Sequence, residues 1–252
     1  MGEPIRYEQQ NGIAVLTLDR PEKLNALTNA MYLQLAERLR QINADAHIKT
    51  VIVRGSEQCF TAGNDLHDFV QAPPTHQSSP AFTFMHAVIE LDKPLIAAVC
   101  GPAIGIGTTL LLHCDHVVTT HDAKLRTPFV KLGLTPEFGS SLLLPQLLGH
   151  ARAAHLLVLG ETISGAQALE WGLASECVIT GQACINAAMT HAQRLIELPD
   201  QAARLTRRMM RKQILAELRA VIEEENEVFI AQLASPHTQS LLAEVLNRSA
   251  HR

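Results

Sequence analysis

Apolar positions along this chain follow two patterns in turn. Near the start, Ile5 to Gln9 and Ile13 to Leu18 flank Asn11-Gly12, a pair suited to a two-residue hairpin because both residues tolerate positive φ. The spacing predicts two paired strands. The second is apolar on both faces at Val15, Leu16 and Leu18, so it should be buried. Met31, Leu35 and Leu39 recur at helical spacing behind Thr28, whose hydroxyl can cap the first turn. Apolar runs at Thr50–Val53, Cys59–Thr61, Leu95–Val99 and Asp115–Thr119 predict short buried strands, separated by helical segments opening at Asp65, Ala81 and Thr108. Gln71 to Pro80 is rich in Pro, Ser and Thr and predicts a mobile loop.

Beyond Gly139 the pattern is helical almost throughout, over 140–148, 150–159, 164–171, 181–196, 200–213, 216–234 and 237–247. The last four of these, joined by short breaks at Pro199 and Pro236, cannot make a compact core alone and should pack on the body or on another subunit. Before them, the order strand, strand, turn, helix occurs at least twice.

Composition narrows the picture. The 252 residues are 47% apolar and 18% charged, enough to bury a large core, with room for one main domain and an appendage. A net charge of −4 argues against nucleic acid as a general partner. Five cysteines without a Cys-x-x-Cys pair read as buried thiols in a reducing compartment. No basic region followed by an apolar run opens the chain, and no uncharged apolar stretch is long enough to span a membrane. The C-terminal Ala250-His251-Arg252 is not the peroxisomal tripeptide. A cytoplasmic location is expected.

Three segments carry candidate chemistry. Phe60-Thr61-Ala62-Gly63-Asn64-Asp65-Leu66 ends a strand in small residues and opens a helix, leaving backbone N–H groups free to meet an anion. An ordinary turn capped by Asp65 accounts for the same residues. Gly101-Pro102-Ala103-Ile104-Gly105-Ile106-Gly107 is a second such turn; it lacks the third glycine of a dinucleotide fingerprint and the lysine of a P-loop. Two turns of this kind could form an oxyanion hole from N–H groups. The third segment holds Glu137, between Pro136 and the run Leu142-Leu143-Leu144. It reads equally as a first-turn acid or as a base raised toward neutrality by an apolar cleft.

Other clusters read less sharply. His113, His116 and His121 straddle an element change without His-Glu-x-x-His, so no metal is expected. Ser140 and Ser141 lack the Gly-x-Ser-x-Gly elbow of a nucleophile. The basic stretch Arg204–Lys212 reads as a solvated or subunit-facing surface, with a phosphate contact as the sharper alternative, and Glu223-Glu224-Glu225 as an exposed helix face.

Taken together, the three segments make the chain resemble the enoyl-CoA hydratase/isomerase (crotonase) family along nearly its whole length. Leu18-Asp19-Arg20-Pro21, Asn25-Ala26-Leu27, Leu91 to Val99, Cys114-Asp115 and Glu170-Trp171-Gly172-Leu173 support the match in order and spacing. The resemblance implies an α/β fold: a crotonase-like spiral of repeated ββα units over 1–195, with the acyl-CoA site, and a helical trimerisation region over 196–252. It implies acyl-CoA thioester substrates, a homotrimer or dimer of trimers, and no cofactor beyond the coenzyme A of the substrate. The N–H groups of Asn64 and Ile106 would form the oxyanion hole. Lys23, Leu24, Ala26, Ala62, Gly63, Asp65, Leu66, Gly105 and Arg248 would bind the coenzyme A thioester. The family's usual aromatic near the adenine is replaced around Glu244 and Val245.

The departures are specific. Hydratases of this family use two glutamates, at the positions that here hold Thr109 and Phe129. Glu137 matches the lone catalytic glutamate of the Δ3,Δ2-enoyl-CoA isomerases. The resemblance therefore implies one-base isomerisation at Glu137, with hydration, another acyl-CoA reaction, or non-catalytic CoA or RNA binding as alternatives.

Overall fold

The computed structural model describes the backbone of residues 3–250 and the side chains of residues 3–247. Strands β1 (Ile5–Gln10) and β2 (Ile13–Leu18) form the expected hairpin, with Asn11 and Gly12 both at positive φ. Helix α1 (Asn29–Ala44) follows; Thr28 Oγ1 accepts from Met31 N at 3.3 Å, the cap the sequence predicts. Next come β3 (Thr50–Arg54), α2 (Leu66–Gln71), α3 (Pro80–Glu90) and β4 (Leu95–Val99). Then β5 (Pro102–Ile104), α4 (Ile106–Thr109), a 3-10 turn at Leu110–His113, β6 (His116–Thr120) and β7 (Lys124–Arg126) complete two turns of strand, short strand and helix or loop.

With β8 (Thr162–Ser164) and β9 (Glu176–Val178) from the second half, the strands among the described residues make two sheets, β1-β2-β3-β4-β6-β9 and β5-β7-β8. In the larger sheet all neighbours are parallel except the β1–β2 hairpin. A parallel strand is covered on both faces, so its side chains sort by parity into two layers. Ala14, Leu16 and Leu18 of β2 enter the main core with Leu95, Ala97 and Val99 of β4. Ile13, Val15, Ile96 and Ala98 face the other way, onto Cys184, Ala188 and Ala192 of the helix Gly181–Ile196. That is why the apolar runs read as continuous.

The second half is helical: α5 (Ser140–Leu148), α6 (His150–Leu157), β8 (Thr162–Ser164), α7 (Gly165–Trp171), β9 (Glu176–Val178), α8 (Gly181–Ile196), α9 (Asp200–Leu233) and α10 (Pro236–Ala250). The segments expected at 200–213 and 216–234 are one helix of 34 residues, because Ile214 and Leu215 between them include no glycine or proline. The strand expected at Cys59–Thr61 shrinks to one bridge, Thr61 to Ala103, with the N–H groups of Phe60 and Thr61 both donating to Pro102 O. The three-residue strands β7, β8 and β9 are too short to leave an alternating pattern.

The C-terminal helices lie on the body of their own chain. Arg207 on α9 is buried, with Nε 2.7 Å from Asp115 Oδ2 and Nη1 donating to Leu91 O. Arg211 donates to Leu91 O and Ile89 O, Arg208 pairs with Asp92, and Arg204 with Asp200. The stretch read as a solvated or subunit-facing basic surface is therefore largely a set of staples. Gln77, in the loop expected to be mobile, donates to Glu223 O and accepts from Asn226 Nδ2. No helix among the described residues is long and apolar enough to cross a membrane.

Candidate active site

The two glycine turns meet because their backbones bond to each other. Ile104 N donates to Thr61 O at 3.0 Å, continuing the Thr61–Ala103 bridge. Gly63 has φ +87°, and a Cβ there would meet Ile104 O at 2.7 Å, so only glycine admits the approach. Leu27 N donates to Gly63 O and Asp65 N to Leu27 O, which straddles the Asn64 peptide. The N–H groups of Asn64 and of Ile106, the first residue of α4, donate to no backbone carbonyl in these turns. These are the two N–H groups that the resemblance implies as oxyanion donors.

The loop 20–26 is sewn to the same corner. Asn25 is buried at φ +56°; its Nδ2 donates to Cys59 O and Phe60 O, and its Oδ1 accepts from Arg20 N. Arg20 Nη1 lies 2.6 Å from Asp65 Oδ2, while Asp65 Oδ1 caps α2 at the N–H groups of His67 and Asp68. Ala62 N donates to Leu24 O at 2.9 Å. A cavity of about 350 Å³ opens here, lined by Lys23, Ala26, Ala62, Asp65 and Leu66. A second, of about 340 Å³, shares Ala62, Asn64 and Leu66 and runs past Gly105 to Phe129 and Phe229. The structure thus brings together the predicted site residues of the first half of the chain. Leu24 is exposed beside them, and the Arg248 side chain lies outside the described residues.

Glu137 is only 2% exposed, and its Oε1 has no hydrogen-bond partner among the described residues. Burial, and then the Glu225 carboxylate, push its carboxyl up to about 8. It is not a first-turn residue of α5, which starts at Ser140. The helix start is instead served by Glu225 of α9, which accepts from Gly139 N at 2.5 Å and Ser141 N at 2.9 Å. Glu225 is itself buried, so one of the three glutamates read as an exposed face points inward. The sequence carries a signal for it: Ile222, Glu225, Phe229 and Leu233 share the helical spacing of an apolar stripe.

Glu137 lines neither cavity; its link to the Asn64 turn runs through Tyr32, which sequence reasoning missed. The Tyr32 hydroxyl donates to Asn64 Oδ1, and burial followed by the Glu137 carboxylate pushes it well above the ordinary tyrosine value. The wall is aromatic. Phe84 lies between Tyr32 and Phe138, with ring centroids 5.6 and 6.2 Å away, and His113 stacks on Phe138 at 4.0 Å. His113 is held down to about 3 by burial, so it is neutral, and its Nε2 donates to Phe138 O at 2.9 Å. Phe138 sits at φ +62°, a conformation costing on the order of 1 kcal/mol or more for a bulky residue. His116 stacks on His191 instead, at 3.6 Å, and no group of described residues could hold a metal ion.

The two positions that carry acids in hydratases hold other chemistry in three dimensions as well. Phe129 is buried and lines the cavity; Thr109 is fully buried, and its hydroxyl has no hydrogen-bond partner among the described residues. Residues 8–248 match the family described as enoyl-CoA hydratase/isomerase. The chain belongs to that family. Its fold superposes on the solved structure of Pseudomonas aeruginosa OdaA with a TM-score of 0.95, at 48% identity over 97% of this chain and 99% of that one. The 1,2-epoxyphenylacetyl-CoA isomerase of Escherichia coli (strain K12) is 40% identical over 69% of each chain. Enoyl-CoA delta isomerase 2 of Homo sapiens is 31% identical over 98% of this chain, which spans 64% of the human protein's length. Membership of the family makes this an acyl-CoA enzyme with a crotonase-like fold.

Proposed function

We propose that the protein is a Δ3,Δ2-enoyl-CoA isomerase, in which Glu137 is the single acid–base and the N–H groups of Asn64 and Ile106 hold the thioester oxygen. One observation carries this reading: a buried, unpaired glutamate raised to about 8, in a site where Thr109 and Phe129 replace the acids of hydration. Such a carboxylate takes a proton from C2 of a 3-enoyl thioester and returns it at C4. A base of this pKa is well matched to proton transfer near neutrality. The intermediate dienolate carries its charge on the thioester oxygen, where each aimed N–H is worth roughly 3 kcal/mol. Water takes no part, and the Phe129 and Phe138 side chains keep it from competing. The cavity beside Lys23, Ala26 and Asp65 suits the coenzyme A portion, and no other cofactor is required. A trimer or dimer of trimers in the cytoplasm fits the family.

A second reading draws on the 40% identical relative: isomerisation of an epoxyphenylacetyl-CoA, which the same base and oxyanion donors would serve. The RNA-binding alternative rests on a stretch whose Arg207 and Arg211 turn inward, onto Asp115, Leu91 O and Ile89 O. The test is a panel of 3-enoyl-, 2-enoyl- and 1,2-epoxyphenylacetyl-CoA, analysed for isomer against hydrated product. Isomer from the 3-enoyl substrates, lost in Glu137→Gln at unchanged acyl-CoA binding, is expected. Hydrated product alone, or full isomerase activity in that variant, would sink the assignment.

A further inference from the structure

Glu137 lies on a stretch without regular structure, so something else must fix its carboxyl. Phe138 at φ +62° and Gly139 at φ +70° are consecutive left-handed residues. The peptide unit between them is bonded at both polar atoms: Phe138 O accepts from His113 Nε2, and Gly139 N donates to Glu225 Oε2. Glu225 Oε1 also accepts from Ser141 N and Ser141 Oγ. Leu218 and Ile222 of α9 close over Gly139, where a Cβ would meet Leu218 Cδ1 at 2.3 Å. The long helix therefore reaches this turn by packing and by one carboxylate.

We propose that Glu225 is the positioning residue of the acid–base: its carboxylate clamps the Phe138–Ser141 turn, and so sets both the place of the Glu137 carboxyl and the charge against which it ionises. The inference rests on Glu137 being the base, as proposed above. Three donors converge on Glu225, and only a carboxylate can accept from all of them; an amide would present N–H groups to one. Its charge also answers the positive end of α5, which otherwise would favour ionised Glu137. Glu225 from α9 and Tyr32 from α1 are the titratable groups that interact with the Glu137 carboxyl among the described residues; Glu224 acts on Glu225 and Asp68 on Tyr32, while His113 bonds the neighbouring Phe138 carbonyl. Burial pushes Glu225 up, while the bonds from Ser141 and Gly139 pull it back toward the ionised form.

The experiment follows the Glu137 carboxyl directly, by titrating protein carrying ¹³C-labelled glutamate; the resonance is identified by its loss in Glu137→Gln. In Glu225→Gln the Glu137 midpoint should fall by about one pH unit, since a neighbouring negative charge is gone. The acid limb of kcat for double-bond migration should move with it, and kcat should drop at least roughly tenfold at little change in KM, as misplacing a base demands. Glu225→Asp keeps the charge on a shorter arm, so its Glu137 midpoint should stay while kcat falls. If Glu225→Gln does not fold, Glu225→Asp carries the test through kcat. An unchanged midpoint and kcat in folded Glu225→Gln, or an unchanged kcat in Glu225→Asp, overturns the proposal. The titration needs no turnover, so a wild type that fails to isomerise would refute the reaction while leaving the titration comparison standing.

Discussion

The two glycine turns and the corner around Glu137 are built in opposite ways. The turns at 61–66 and 101–107 are backbone structures, fixed by their own glycines and by bonds such as Ile104 N to Thr61 O. The acid corner is assembled from side chains far apart in the chain. Glu225 reaches Gly139 across 86 residues, and His113 reaches Phe138 across 25. Backbone donors can serve a developing charge without harming stability, because an N–H left to water or ligand is ordinary at a helix start. A buried carboxylate with an unpaired oxygen is different: ionising it costs stability, and that same cost makes it a base. In the turns, then, function and folding pull together, whereas at Glu137 they oppose each other.

The largest effect that separates the two regions is on turnover. Glu137→Gln keeps the shape of the corner and removes the base, so double-bond migration should fall by about 10³- to 10⁴-fold. Acyl-CoA binding, read by calorimetry, should stay within a factor of about two. The same variant should be more stable than the wild type, by an amount that depends on pH. With a folded value of about 8 against 4.5 unfolded, the native wild type holds a proton that the unfolded chain has lost. Wild-type stability therefore declines as pH rises from about 4.5 to about 8 and levels off beyond. The gap to Glu137→Gln should grow over that window to on the order of 5 kcal/mol. Denaturant melts at pH 5, 7 and 9 measure it; a gap that shrinks with pH would contradict a buried, raised Glu137.

This division also explains what could be read in advance. The Asn11-Gly12 hairpin, the Thr28 cap, the Asp65 cap and both glycine turns are local, since each signal and its consequence lie within a few residues. Lys23, Ala26, Ala62, Asp65 and Leu66 gather around one cavity, as the resemblance implied. What stayed hidden was long-range. Nothing near Tyr32 announces that its hydroxyl meets Asn64, and although Glu225 falls on the stripe of Ile222, Phe229 and Leu233, only α9 laid on Gly139 shows what its carboxylate binds. The inward turn of Arg207 and Arg211 is hidden for the same reason, because Asp115 and the Leu91 carbonyl lie more than 90 residues back. The division expected between 213 and 216 fails for a local reason: no glycine or proline stands there, and the helix runs unbroken from Asp200 to Leu233.

In the turns, damage should appear in stability and turnover together. Gly63→Ala brings a Cβ to 2.7 Å from Ile104 O at a backbone angle of +87°. The two strands must part, which should cost about 2–3 kcal/mol and lower kcat in parallel, since the Asn64 N–H moves with its neighbour. Equal loss of stability at unchanged kcat would show that the Asn64 peptide is not part of the oxyanion hole.

The smallest expected effect tests whether the loop 20–26 belongs with the turns. Asn25→Ala deletes the bonds to Cys59 O, Phe60 O and Arg20 N, leaving two buried carbonyls without that partner. About 2 kcal/mol should be lost in denaturant unfolding, modest because Arg20 still pairs with Asp65 and Ala62 N with Leu24 O. Binding should suffer more than chemistry: KM for acyl-CoA rises severalfold while kcat holds, because this loop lines the cavity beside Lys23 rather than the Glu137 corner. A fall in kcat at constant KM would instead tie the loop to the acid corner and erase the division between the two regions.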